Sequence, residues 1–254
     1  MLFRRIILNA LFVGVLAGLA LSLVQMLTVT PIIFAAETYE VAEAVPEGGH
    51  THDQGSEPVH EHSDSAWAPE DGAERTFYTL LSNVLAGTGF AAVVLALMSQ
   101  MQMQGVTQLN LIKGLQWGIA GFLAFFVAPG IGLPPEIPGM EAAQIEHRQL
   151  WWVIAVVSVG SGLMVLAFAS LKLKALGGIA ILFPYLLNIP HHDGPAFTHP
   201  DPQAIAALTE LHQQFVVASG VANLIFWMAL GLLAAWVLNR FVLKGLDLNA
   251  IAGR

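Results

Sequence analysis

The chain has 254 residues, 56% of them hydrophobic and 11% charged, with a mean hydropathy of +0.66; that is too little charge to cover a water-soluble domain. A formal charge of -8 excludes a nucleic-acid binder on electrostatic grounds. The absence of Cys and of any Gly-Lys pair excludes disulfides, thiolate zinc sites, a Cys nucleophile and a phosphate-binding loop for ATP hydrolysis.

The first predicted element is a spanning helix over 6–34. MLFRRIILNALF opens like a secretory signal, but the uncharged run from Ile6 to Ala36 far exceeds the roughly 7–15 apolar residues of a signal core. Glu37 ends it. Residues 37–76 are poor in apolar side chains and rich in acids, Gly and Pro, so a largely disordered outer loop is expected. Inside it, HTHDQGSEPVHEHSD (50–64) carries two His-x-His pairs, His50/His52 and His60/His62, among Glu47, Asp53, Glu57, Glu61 and Asp64. Neutral imidazole suits Co, Ni, Cu and Zn, and the short spacing chelates without needing a fold. A solvated spacer is the plainer reading. A site this pliable gathers divalent ions without choosing among them. Ligation requires neutral imidazole, so capture is expected to weaken as pH falls through about 6 to 6.5.

Further spans are predicted at 77–103, 114–133, 150–171 and 215–239. A short sixth, 175–190, has 16 residues and reaches roughly 24 Å at the helical rise. Its length alone allows a short span, a re-entrant hairpin or a kinked helix. Charge favours the span. With six spans and a cytoplasmic N-terminus, Arg4, Arg5, Lys113, Lys172, Lys174, Arg240, Lys244 and Arg254 fall inside, and only Arg75 and Arg148 fall outside, as cytoplasmic basic loops require. All nine His and 17 of the 18 acids then lie outside, Asp247 alone inside. The expected fold is an all-α integral membrane protein, a six-helix transmembrane bundle with both termini cytoplasmic. Pro31, Pro129 and Pro184 near the outer ends of alternate spans, with Glu74-Arg75, Glu146-His147-Arg148 and Glu210-Leu211-His212 before the others, suggest three helical hairpins, although Pro is common in membrane helices generally.

Arg75 and Arg148, the exceptions to the charge rule, each follow an acid at a helix start. Ion pairs with Glu37, Glu40 or Glu136 are expected to hold them around an outer vestibule, a structural tether being the plainer role. Lys cannot fork onto a carboxylate, so Arg148→Lys is expected to lower uptake. NIPHHDGPAFTHPD (188–201) sets His191, His192, Asp193 and His199 on backbone stiffened by Pro190, Pro195, Pro200 and Pro202, which lowers the entropy lost on chelation. His147 and His212, at the starts of the fourth and last spans, could converge with them at an outer mouth. A Pro-rich turn with surface imidazoles is the plainer reading. The spans contain no Asp, Glu, Lys, Arg or His, which disfavours a proton relay and leaves Gln25, Thr28, Thr30, Asn83, Gln116 and Asn223 to line a path. GVLAGLALS and GIAGFLAFF suit close helix packing. Met98, Met101 and Met103 fill a helix end or act as soft exit ligands.

TVTPIIFAAETYE (28–40), the His-x-His loop, WAPEDGAERT (67–76), APGIGLPPEIPGM (128–140) and RQLWW (148–152) resemble the CbtA family, probable cobalt-transporter subunits of bacteria. GLPPEIPG followed by RQLWW is the more specific part; the His tract alone is not. The resemblance covers nearly the whole chain. It implies cobalt uptake across the bacterial inner membrane for cobalamin synthesis, a divalent transition metal ion as substrate, and a small single-span His-rich partner of the CbtB type. No enzymatic activity and no organic cofactor are expected. The family is usually described with five spans, against the six argued from charge. Other readings are nickel, zinc or copper in place of cobalt, and an accessory or sensor subunit whose partner forms the path. A histidine-box metalloenzyme is disfavoured, because the only close His pairs are in outer loops.

Overall fold

A computed structural model describes residues 2–43 and 69–243. The His-x-His tract, with His50, His52, His60 and His62, lies outside them. All regular elements among the described residues are helical; an isolated antiparallel bridge joins Met140 and Phe197.

Helix α1 (Leu2–Thr28) breaks at Val29, because Pro31 brings no N–H to the ladder, and resumes as α2 (Thr30–Glu43). Residues 37–43, expected as loop, are therefore helical. A hydropathy reading stops at the first charge, whereas this helix continues because Ala36 and Tyr39 have a cluster to pack against. The left-handed Gly72 (φ 94°) opens α3 (Ala73–Met103). Asn110 caps α4 (Leu111–Phe122), its Oδ1 accepting the Lys113 N–H at 2.8 Å. That helix widens into a π turn, Leu123–Val127, just before Pro129, whose ring collides with the preceding turn, and ends as α5 (Ala128–Gly132). Next come α6 (Ile145–Phe168), α7 (Lys174–Leu182) with a 3-10 turn (Phe183–Leu186), and α8 (Pro202–Val237) with a π turn (Leu238–Val242). Helix α8 starts well before the expected 215: Asp201 accepts the Gln203 N–H at 2.8 Å and Pro202 fits the first turn.

Five helices among the described residues are long and apolar enough to cross a membrane: Leu2–Thr28, Ala73–Met103, Leu111–Gly132, Ile145–Phe168 and Pro202–Val242. The expected sixth span, 175–190, is not among them. Pro184 tightens it into a 3-10 turn, and Leu187 leaves the helix in extended backbone. It nevertheless runs alongside α6 from Gly162 to Trp151. Gly177 lies against Gly162, and further along the Trp151 Nε1–H donates to the Pro184 carbonyl (3.2 Å) while the Tyr185 hydroxyl donates to the Ala128 carbonyl (2.8 Å).

Of the three expected hairpins, only the first is a packed pair, α1 along α3; α4 packs mainly on α8, and α6 on α7. Glycine faces decide the partners. A Cβ on Gly14 would lie 2.3 Å from Thr88 Cα, and one on Gly231 2.3 Å from the Gly114 carbonyl, so only Gly permits these backbone approaches. Val13, Ala17, Leu95, Met98, Leu230 and Leu238 form the central core. Met98 is fully buried there and Met103 packs against the same cluster, which makes Met98 filling, not an exit ligand.

The bundle has two distinct rims. At one, Arg5 Nη1 donates to the Val242 carbonyl (3.2 Å) and Asn239 Nδ2 to the Leu109 carbonyl (3.0 Å), joining the start of α1, the end of α8 and the α3–α4 turn. At the other, Ala36, Ile137, Phe197 and Leu208 form a separate buried cluster beneath the loops.

Candidate functional site

The second rim carries the described acids and imidazoles, and α2 builds its first wall. Phe34 and Glu37 are three residues apart and share a face of that helix. Arg75, in the first turn of α3, forks onto Glu37: Nη1 to Oε2 at 3.0 Å and Nη2 to Oε1 at 2.5 Å. Asp71 takes a further Nη1 contact at 3.0 Å, and the Phe34 ring lies 4.9 Å from the guanidinium carbon. The guanidinium is thus held by two carboxylates and an aromatic face.

The loop before α6 supplies the second wall. Arg148 Nη2 meets Glu136 Oε2 at 2.5 Å. This is a single contact, not a fork, and Arg148 Nε is buried without a hydrogen-bond partner among the described residues. Glu37 and Glu136 adjoin Ala36 and Ile137, members of one buried cluster, so the two ion pairs flank a common apolar plug. The exposed Glu40 lies over Gly139, its Cγ 3.6 Å from where a Cβ would stand.

The histidines behave differently from one another. His191 Nδ1 donates to the Ile189 carbonyl (3.0 Å), which leaves Nε2 with a lone pair in the neutral ring; Asp193 Oδ1 lies 3.5 Å from it. A backbone-anchored imidazole with its other nitrogen free beside a carboxylate is the usual posture of a metal ligand. His192 is exposed, with its ring folded over Gly194. His199 Nδ1 accepts the Asp201 N–H (3.0 Å) and its ring meets Tyr39 edge-on, so its lone pair is already engaged. His212 Nε2 donates to the Pro135 carbonyl (3.0 Å), with its ring against Phe197. His147 is exposed at the start of α6. The expected convergence of His147 and His212 with the 191–199 cluster is not formed: no group of three or more His, Asp or Glu among the described residues is placed to hold a metal. His191 with Asp193 is the pair that the loop brings together.

The polar residues expected to line a path are largely occupied. Asn83 Nδ2 donates to Gln25 Oε1 (2.6 Å) and to Ser22 Oγ (3.0 Å), and the Ser22 hydroxyl donates to the Gly18 carbonyl. Thr28 and Asn223 bond to their own helices. Sequence reasoning missed Phe34, Tyr39, Trp151 and Tyr185, the aromatics that hold this rim together. Only the spacing of Phe34 from Glu37 offered a signal.

Residues 3–239 match the model of a family described as Probable cobalt transporter subunit (CbtA). Neither a curated protein nor a solved structure matches the chain.

Proposed function

The chain belongs to the CbtA family of cobalt transporter subunits, and on that premise we propose that it gathers a divalent transition metal ion, cobalt foremost, at the outer face of the bacterial inner membrane and admits it to the cell. One observation carries the reading. Under a six-crossing topology all nine His and 17 of 18 acids fall on one rim, and eight of ten fixed cations on the other. The contact between Arg5 and Val242 supports an even number of crossings, with Lys174–Leu186 as the short sixth.

In this reading His50, His52, His60 and His62 with their neighbouring acids are the first ligands, and the His191/Asp193 pair is a second station at the rim. The Arg75 and Arg148 ion pairs hold the vestibule walls and do not touch the ion. The loop concentrates cations, and preference for cobalt over nickel, zinc or copper arises elsewhere in the transporter. An inside-negative potential of 100 mV favours entry of a divalent ion by about 4.6 kcal/mol, twice the single-charge value, so ATP is not required.

A second reading, in which the chain captures metal and a partner forms the pathway, is favoured by the mutual hydrogen bonding of Asn83, Gln25 and Ser22, which leaves few polar groups free inside the bundle. The family description as a subunit implies a partner, and a small single-span His-rich protein of the CbtB type fits that role. Cobalt influx into liposomes, followed with an internal metal-sensitive dye, separates the readings. Influx with the chain alone supports the permease; influx only with the partner supports the capture role; none in either case sinks both. Cobalt binding to the pure chain is expected to weaken by about tenfold per engaged imidazole between pH 7.5 and 5.5. A flat profile would remove the histidines from the account.

A further inference from the structure

An apolar cleft of about 810 Å³ opens between α3, α4 and α6. Its floor is aromatic: Phe90, Phe125 and Trp227 pack with centroids 4.9–5.1 Å apart, Phe125 stacked on Trp227 and Phe90 edge-on to Phe125. Its walls are apolar, among them Val93, Leu97 and Met164, so a hydrated cation gains nothing by entering it. Hydrocarbon does.

The mouth toward the Arg5–Val242 rim is different. Lys113, Gln116 and Trp117 all line the cleft there, and their i, i+3, i+4 spacing sets them on one face of α4. Phe168 lies across from Trp117, ring centroids 6.5 Å apart. Lys172 and Lys174 follow Phe168 by four and six residues, within no more than about 14 and 22 Å of extended chain. No Asp or Glu among the described residues is within hydrogen-bond or ion-pair distance of these three lysines. A hydrocarbon slot with Lys113 and Trp117 at its mouth, and Lys172 and Lys174 a few residues beyond its Phe168 wall, has the charge and polarity pattern of one amphiphile.

We infer that this cleft is a binding site for an anionic glycerophospholipid, with an acyl chain along Phe90, Phe125 and Trp227 and the headgroup phosphate at Lys113, Lys172 and Lys174. Basic pockets between transmembrane helices on the cytoplasmic side select acidic headgroups, each Lys adding an increment of attraction. The site is independent of metal, so its failure leaves the transport reading untouched.

The test uses the full chain, purified and delipidated in detergent, titrated with dioleoyl-phosphatidylglycerol or dioleoyl-phosphatidylcholine and read by native mass spectrometry. One phosphatidylglycerol per chain is expected to bind at least about fivefold tighter than phosphatidylcholine, and Lys113→Gln to cut that preference by about fivefold. Gly89 lines the cleft and an added Cβ there meets nothing within 4 Å, so Gly89→Leu should keep the wild-type melting temperature in lipid-free detergent and lose the bound lipid. Gly178→Leu, at an equally open glycine outside the cleft, should keep it. Equal binding of the two lipids, or full retention in Gly89→Leu, overturns the site. So does exclusion of phosphatidylglycerol by a co-purified partner subunit, which would make the cleft a helix seat instead.

Discussion

Arg75 and Arg148 carry the same charge on the same rim, but their surroundings make them unequal. Arg75 has two parallel bonds to Glu37, a third to Asp71 and an aromatic face beneath it. Arg148 has one contact, to Glu136, and a buried Nε with no partner among the described residues. A Lys in place of Arg75 keeps the charge and loses the fork; with both partners less than a third exposed, the expected cost is about 1 kcal/mol, read as a lower midpoint of thermal unfolding in detergent. Lys at 148 keeps the single contact and removes an unsatisfied donor, so Arg148→Lys should stay within about 0.5 kcal/mol of the parent. Equal losses at both positions would contradict this assignment. That both arginines need acids was legible because each stands out of place in the charge pattern. Glu37 and Glu136 were among the three acids named, whereas Glu40 pairs with neither arginine and Asp71 was not foreseen. The carbonyls of Ile189 and Pro135, which set the histidine tautomers, were not legible, since backbone acceptors leave no trace in residue type, and Phe34 was signalled only by its spacing from Glu37.

At the scale of elements, glycine decides which helices meet. Gly87 and Gly89 sit two residues apart on α3, and an added Cβ has opposite consequences at the two. At Gly87 it would lie 2.7 Å from the Gly14 carbonyl of α1; at Gly89 it meets nothing within 4 Å. Gly87→Val is expected to destabilise by about 2 kcal/mol or more through backbone overpacking, visible as loss of the monodisperse peak in detergent size-exclusion chromatography. Gly89→Val should elute as the parent does. Runs such as GVLAGLALS announced close packing without naming the partner, which is why α4 was expected beside α6 and is found mainly on α8. Helix ends were misjudged for a different reason. Hydropathy marks where hydrocarbon stops, but α2 and α8 continue past it to build the cap around Ile137 and Phe197. The Asp-Pro pair at 201–202 was a readable start signal for α8; hydropathy alone passed over it.

The whole molecule is polar in the electrostatic sense: described acids and imidazoles at one rim, most fixed cations at the other, with a belt of exposed Leu, Val and Phe between. The segregation of charge was legible in the order of charged and apolar runs along the chain, which does not depend on side-chain geometry. What a single sequence could not supply was convergence, since bringing His147 and His212 onto His191 depends on loop paths set by Pro135, Phe197 and Asp201. The account stands on which rim faces outward. The absence of native Cys makes this directly measurable in spheroplasts with a membrane-impermeant maleimide. Ser56→Cys, in the His tract, should label in intact spheroplasts, and Leu171→Cys, beside Lys172, only after permeabilisation; labelling of Leu171→Cys from outside with Ser56→Cys protected would invert the molecule and end the uptake account.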